Sequence, residues 1–339
     1  MNERVGISMQ TSHEHPFAQY IRALGKGKQG SRALTQEEAY TAMRLILRDE
    51  VEPIQLGAFL MLMRMKEETA AELAGFVEAV RDELAVPHDF VQVDLDWSSY
   101  AGKRRHLPWF ILSALLLSEN GVRVFMHGAT GHTHGRLYTE EVLAQLGTEA
   151  LNTWEEVAEH LETRRFAFLS LSQLSPKLNA MMALRSLMGL RSPVHTLVRL
   201  LNPLSAPYML QGIFHPGYRA IHQETALLLK QPHLAVLKGE GGEIERNPDV
   251  ECLVQSVHLG EKQDELWSPL FEQRHVKAES LDIAQMPALW RGELQDEFAE
   301  ASVVGTVAIA LRLMGKVESI TAAEQAAQAM WAERNKQRF

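Results

Sequence analysis

Only one cysteine, Cys252, occurs in the 339 residues. A lone thiol cannot close an internal disulfide or build a thiolate zinc or iron–sulfur centre within one chain, so the fold must rest on apolar burial. Long apolar runs are also missing. None approaches the roughly 20 residues of a membrane span, and the longest, near Leu107 to Leu117, is interrupted by Pro108 and reads as a buried helix. The opening MNERVGISMQTSHEH has no apolar stretch of the kind a secretion signal needs, which predicts a fraying terminus on a cytoplasmic protein. Aromatic residues are few, at 7%, yet apolar residues make up 46%, enough to bury one large core or two unequal ones.

Positive charge is in deficit, with 34 Lys and Arg against 43 Asp and Glu and a net charge of -9, but it is concentrated. Residues 98–138 hold Lys103, Arg104, Arg105, Arg123 and Arg136 against Glu119 alone. Residues 163–238 hold nine basic residues against Glu224 alone, whereas residues 239–339 hold 10 basic and 18 acidic ones. Such blocks permit a basic face on an acidic protein, a face suited to polyanions.

The first 85 or so residues are punctuated as helices. Thr35-Gln36-Glu37-Glu38 and Thr69-Ala70-Ala71-Glu72 are capping boxes, Pro53 suits a first helical turn, and Leu56, Phe59, Leu60 and Met63 recur at helical spacing. From about residue 90, strand and helix patterns alternate, which predicts a mostly parallel sheet covered on both faces. The strand candidates are residues 90–95, 122–126, 166–169, 209–214 and 234–237, with 252–258 as a later one. Helix patterns fall near 107–119, 138–146, 154–163, 176–188, 217–230, 301–314 and 320–335. The expected architecture is α/β: a small all-helical N-terminal domain over residues 1–88 and a large α/β domain over residues 89–339.

In an open α/β sheet, ligands gather at the loops after the carboxyl ends of strands. Three loops stand out there: 98–106, 127–136 and 239–249. Their order and spacing, the helical stretch 34–81, MHG at 126–128, EEVLAQLG at 140–147, the paired Arg185 and Arg191, and LLNP at 200–203 together resemble the anthranilate phosphoribosyltransferase family over nearly the whole chain. The resemblance implies a nucleoside phosphorylase/phosphoribosyltransferase fold and a homodimer made through the helical domain.

The family's active-site signatures are altered. Its diphosphate-cradling Gly-Thr-Gly-Gly-Asp falls on Ser98-Ser99-Tyr100-Ala101-Gly102, where one glycine remains and Tyr100 should obstruct the seat. Its Asn-Ile-Ser-Thr becomes Pro108-Trp109-Phe110-Ile111, preceded by Lys103-Arg104-Arg105-His106. Its metal-binding Asp-Glu pair meets Glu243-Ile244-Glu245, and isoleucine offers magnesium no oxygen. Arg199 adds charge to a segment lining the family's acceptor cleft, and Arg185 is matched to the arginine that contacts the anthranilate carboxylate.

This pattern is similar to the YbiB-type branch, which the resemblance describes as binding nucleic acid on a degenerate transferase scaffold. The expectation is therefore sequence-independent DNA or RNA binding, with no catalytic residue, no cofactor and no membrane. Phosphate contacts are assigned to Lys103, Arg104, Arg105, His106, His127, Arg136, Arg185, Arg191 and Arg199. Tyr100, Trp97 and Trp109 flank the basic run and could stack on bases, although core packing is the better reading of Trp109. Arg164, Arg165, Lys177 and Arg219 are weaker groove candidates. His127, His132 and His134 have no acid within their stretch, which favours a phosphate-facing loop over a metal site. The alternative is a glycosyl or phosphoribosyl transferase using phosphoribosyl pyrophosphate and Mg2+, with Glu243 and Glu245 as the remaining metal carboxylates.

Overall fold

A computed structural model describes residues 14–339 apart from Lys28, Thr130, His132, Glu149 and residues 277–279. His132, one of the three loop histidines above, thus lies outside the described residues.

The helical unit comprises α1 (Ala18–Gly25), α2 (Gln36–Leu47), α3 (Pro53–Lys66) and α4 (Ala70–Glu83). Both capping boxes form: the Thr35 and Thr69 hydroxyls accept from the Glu38 and Glu72 amides, and each glutamate reaches back to its cap. Gly75 lets α4 lie against α2, because a Cβ there would stand 2.1 Å from the Gln36 carbonyl oxygen and 2.8 Å from the Tyr40 nitrogen. Gly75→Ala is accordingly expected to destabilise the protein by about 1–3 kcal/mol, read from the denaturant midpoint.

The sheet has seven strands: β1 (Leu95–Ser99), β2 (Val124–Gly128), β3 (Phe166–Ser170), β4 (Tyr208–Ile213), β5 (His233–Lys238), β6 (Cys252–His258) and β7 (Glu261–Trp267). Their spatial order is β3-β2-β1-β4-β5-β6-β7. The first five are parallel, and β6 and β7 form an antiparallel hairpin at one edge. Two expectations need correction. The first strand is not at 90–95, since only Leu95 of that run pairs with β2 and the strand continues through polar Asp96, Ser98 and Ser99. Strand β7 had no apolar signal because its sequence, EKQDELW, is that of an exposed edge.

One face of the sheet packs on α5 (Phe110–Glu119) and on the helices Glu297–Leu313 and Ile320–Glu333. A second core runs from the helical unit into the α/β unit, joining Phe17, Phe59 and Phe76 to Phe125, Leu197 and Leu201. Met63, Met181 and Met182 fill this core. Arg81 ties the units further by donating to the Leu201 carbonyl at 2.6 Å. The cleft between them opens at the carboxyl ends of the parallel strands, where the three notable loops converge. Among the described residues, no helix is long and apolar enough to cross a membrane.

Candidate functional site: an arginine-lined cleft with a filled phosphate loop

The loop between β1 and α5 directs a series of backbone amides toward the sheet's carboxyl edge, the arrangement that suits an anion. Here the anions belong to the chain itself. Glu243 Oε1 accepts from the Ala101 and Gly102 amides at 2.6 and 2.7 Å, and its Oε2 accepts from Ser99 Oγ at 2.8 Å. Glu240 Oε1 accepts from the Arg104 and Arg105 amides at 3.1 and 2.6 Å. Glu245 Oε2 accepts from the Phe110 amide, in the first turn of α5, at 2.9 Å. Three glutamates from one turn thus satisfy the amides of the opposite loop. Gly241 makes the turn possible: its φ is +68°, and a Cβ would stand 2.8 Å from the Gly102 carbonyl oxygen.

This arrangement removes Lys103 from the phosphate-binding set. Its side chain is 2% exposed, with Nζ paired to Glu245 and, at 3.2 Å, to Glu240. Burial works against the ammonium, but the two carboxylates outweigh it and lift its pKa above the ordinary lysine value. This cation of the loop before α5 therefore neutralises buried acids and does not face a ligand. His127 is also withdrawn. It is fully buried, with Nε2 3.2 Å from Asp96 and Nδ1 2.6 Å from Tyr100 Oη, and it stacks on Phe125. Tyr100, Trp97 and Trp109 are buried too, so none offers a free face to a base; Tyr100 closes the old seat from within by binding His127. Burial, then the Asp96 charge, raises its phenol well above the usual range.

Arg104 and Arg105 remain exposed at the cleft rim, and His106 stacks on Phe298 with ring centres 4.4 Å apart. Arg136, Arg185, Arg191 and Arg199 converge further in. Arg136 donates to the Ala101 and Gly102 carbonyls at 2.9 and 3.3 Å, and Arg185 donates to Thr133 Oγ1 at 2.6 Å. Arg199, 9% exposed, donates to the Gly212 and Gly242 carbonyls at 3.0 and 2.5 Å, so much of its fork holds loops together. Arg191 lines a cavity of about 130 Å³ between the two units. Burial, followed by the charges of Arg185, Arg136 and Arg199, pushes its guanidinium down to about 10. Arg191, not Arg185, is thus the member of the pair that lines this cavity. Arg164 and Arg165 lie elsewhere, at the amino end of β3, beside a separate hollow shared with Arg338.

No local pattern marks the polar scaffold that holds Arg199. Gln211 Nε2 donates to the Arg199 carbonyl at 3.0 Å, and Gln211 Oε1 accepts from His222 Nδ1 at 2.6 Å. His222 is buried, and burial, with Arg199 nearby, depresses its pKa from 6.5 to about 3. The unfolded histidine takes up a proton that the folded one refuses, so this contribution to stability is complete above pH 6.5 and is lost as pH falls toward 3. Denaturant unfolding at about pH 7 and about pH 5 is expected to show a loss of about 2 kcal/mol from this group, absent in His222→Asn.

The metal carboxylates do not fit a divalent ion as arranged. Both oxygens of Glu243 are occupied by amides and a hydroxyl, Glu245 serves Lys103 and α5, and Ile244 is fully buried in the apolar core. Magnesium requires several free oxygens in octahedral array.

Helical bundle, α/β unit and a cleft at the strand ends define the class: a glycosyltransferase scaffold. Residues 18–83 match the helical bundle domain of the Glycosyl transferase family and residues 111–333 its a/b domain. The chain belongs to this family, on its anthranilate phosphoribosyltransferase-like side with a YbiB-type branch. It is 31% identical over 240 residues to an uncharacterized protein of Aquifex aeolicus, covering 69% of this chain and 72% of that one. It is 28% identical to the anthranilate phosphoribosyltransferase of Ralstonia pickettii, covering 68% and 67%, and 28% identical to the uncharacterized protein YbiB of Escherichia coli, covering 60% and 64%. The fold matches anthranilate phosphoribosyltransferase from Thermus thermophilus with a TM-score of 0.77 at 23% identity, covering 92% and 94%. It also matches the Saccharomyces cerevisiae enzyme in complex with PRPP and Mg with a TM-score of 0.75 at 16% identity, covering 95% and 96%.

Proposed function

We propose that this chain uses the family's scaffold to hold the sugar–phosphate backbone of a nucleic acid in the arginine-lined cleft, without sugar transfer through the family's donor loop. The observation that carries this reading is the convergence of Arg136, Arg185 and Arg191 on the cleft while the neighbouring anion loop is filled by Glu240, Glu243 and Glu245. Cations that raise one another's cost of charging favour a polyanion that relieves them all. Exposed Arg104 and Arg105 extend the track to the rim. Contacts to phosphate carry no base information, so this part of the binding is sequence-independent.

Fluorescence anisotropy of a labelled single-stranded oligonucleotide at two salt concentrations tests the proposal. Affinity is expected to fall steeply with salt, with a slope of about 0.7 per neutralised phosphate. Absence of binding at low salt overturns it.

The second reading is phosphoribosyl transfer, favoured by family membership and by the yeast relative's complex with PRPP and Mg. It requires Glu243 and Glu245 to leave the amides they now bind. Calorimetry with phosphoribosyl pyrophosphate and Mg2+ separates the two, since micromolar binding restores the transferase.

A homodimer belongs to the same proposal. Helix α3 presents Ile54, Ala58, Met61 and Met65 along one outward stripe, with Ile54 and Met65 82% and 75% exposed. A second copy covering that stripe would join two short basic clefts into one track. Ile54→Glu with Met65→Glu is expected to shift the mass in light scattering from dimer to monomer and to weaken oligonucleotide binding.

A further inference from the structure

The cavity of about 130 Å³ between the two units is graded from a closed end to an open one. Its inner lining is Tyr100, Ile213 and His222, none more than 3% exposed, and its outer lining includes Arg64, Phe214 and His215, all exposed. Two guanidinium groups line it from opposite units, Arg64 from the last turn of α3 and Arg191 from the α/β unit. Among the described residues, neither has a carboxylate partner within 4.0 Å. Arg199 adds a third charge on the buried side, although carbonyls engage its fork. The one acid of the wall is Glu68, 4% exposed, with an oxygen that accepts from Thr196 Oγ1 at 2.6 Å. With histidines neutral, the lining carries three positive charges against one negative.

An excess of two positive charges in so small a space defines the ligand. A phosphodiester inside a strand carries a single negative charge, whereas a phosphomonoester at a strand end carries about 1.5 to 2 at pH 7 and presents three strong acceptor oxygens. Guanidinium forks arriving from two sides suit such a group, since each offers paired donors to two oxygens. The size agrees. The cavity lies well below the roughly 300 Å³ at which sites for drug-sized molecules begin, so it has room for a phosphate group and not for a whole nucleotide. A blind end also admits a chain terminus and stops a strand that must continue on both sides. We infer that this cavity seats a terminal phosphomonoester of the bound strand, gripped by Arg64 from the helical unit and Arg191 from the α/β unit. The inference rests on the nucleic-acid reading and adds recognition of strand ends to it. Free inorganic phosphate offers the same chemistry, and the test separates the two sources.

Oligonucleotides of one sequence, labelled internally and ending in a 5′-phosphate, a 3′-phosphate or hydroxyls at both ends, isolate this contribution. Anisotropy titrations at low salt are expected to show a phosphorylated form bound about tenfold more tightly than the hydroxyl-ended form, the worth of one charge-assisted hydrogen bond. Arg64→Gln is expected to bring that ratio within about twofold of unity, and Arg64→Lys, which keeps the charge but loses the fork, to retain part of it. Thermal melts check that both variants remain folded. Equal binding of all three forms by the unaltered protein overturns the end seat and leaves the backbone reading standing; calorimetric binding of inorganic phosphate that Arg64→Gln abolishes then gives the cavity to the free ion. Absence of binding by every form at low salt overturns both readings. A preference undiminished in folded Arg64→Gln overturns the assignment to this cavity.

Discussion

Lys103→Met is expected to destabilise the protein by about 3–5 kcal/mol while leaving the oligonucleotide affinity of the folded fraction unchanged. The lysine sits between Glu245 and Glu240, with its side chain 2% exposed. Removing the cation leaves Glu245, itself 4% exposed, as an uncompensated buried charge beside the start of α5. Burial already pushes the Glu245 carboxyl up, and loss of Lys103 removes the main force holding it down. Chemical denaturation measures the loss. The double variant Lys103→Met with Glu245→Gln is expected to recover most of it, because removing both charges removes the desolvation penalty of the survivor. A binding defect in folded Lys103→Met without loss of stability would return this residue to the phosphate-binding set.

The second large effect concerns Arg185 and Arg191. Reversing both to glutamate places two negative charges where the field of Arg136 and Arg199 now awaits an anion. Oligonucleotide affinity is expected to drop at least about 100-fold at low salt, and the dependence of log affinity on log salt to flatten by about 1.5 units as two phosphate contacts disappear. Anisotropy across a salt series reads both quantities. Neither side chain belongs to the hydrophobic cores, so the melting temperature is expected to change little. An undiminished affinity would place the polyanion elsewhere and end the cleft proposal.

Much of the fold was legible because its signals are local. Thr35 and Thr69 cap their own helices, and the apolar blocks of β2 to β5 are each bounded by turn residues. The first strand was misplaced because Asp96, Ser98 and Ser99 are polar by type yet buried by tertiary partners, and β7 because a charged edge carries no periodic apolar mark. The site was legible as an accumulation of cations but not in its division of labour. Lys103 and Arg104 are adjacent in sequence, and only one faces solvent. What separates them is Glu245, 142 residues further along the chain, a pairing that no local pattern encodes. Glu68 and Thr196 carry no local mark for the same reason, since they become a pair only across the cleft.

The filled loop also bears on how this protein rests between encounters. A phosphate loop built from bare amides depends on its ligand for order and is ragged without it. Here Glu243 is tethered to the next turn of the same molecule, so its local concentration far exceeds that of any dissolved diphosphate. The loop is in effect permanently liganded. Its Ala101 and Gly102 carbonyls, held by Arg136 from the other side, and the Gly242 carbonyl of the glutamate turn, held by Arg199, form a fixed wall to the cleft, and the arginines on that wall meet an incoming strand without first waiting for a small molecule to set them in place.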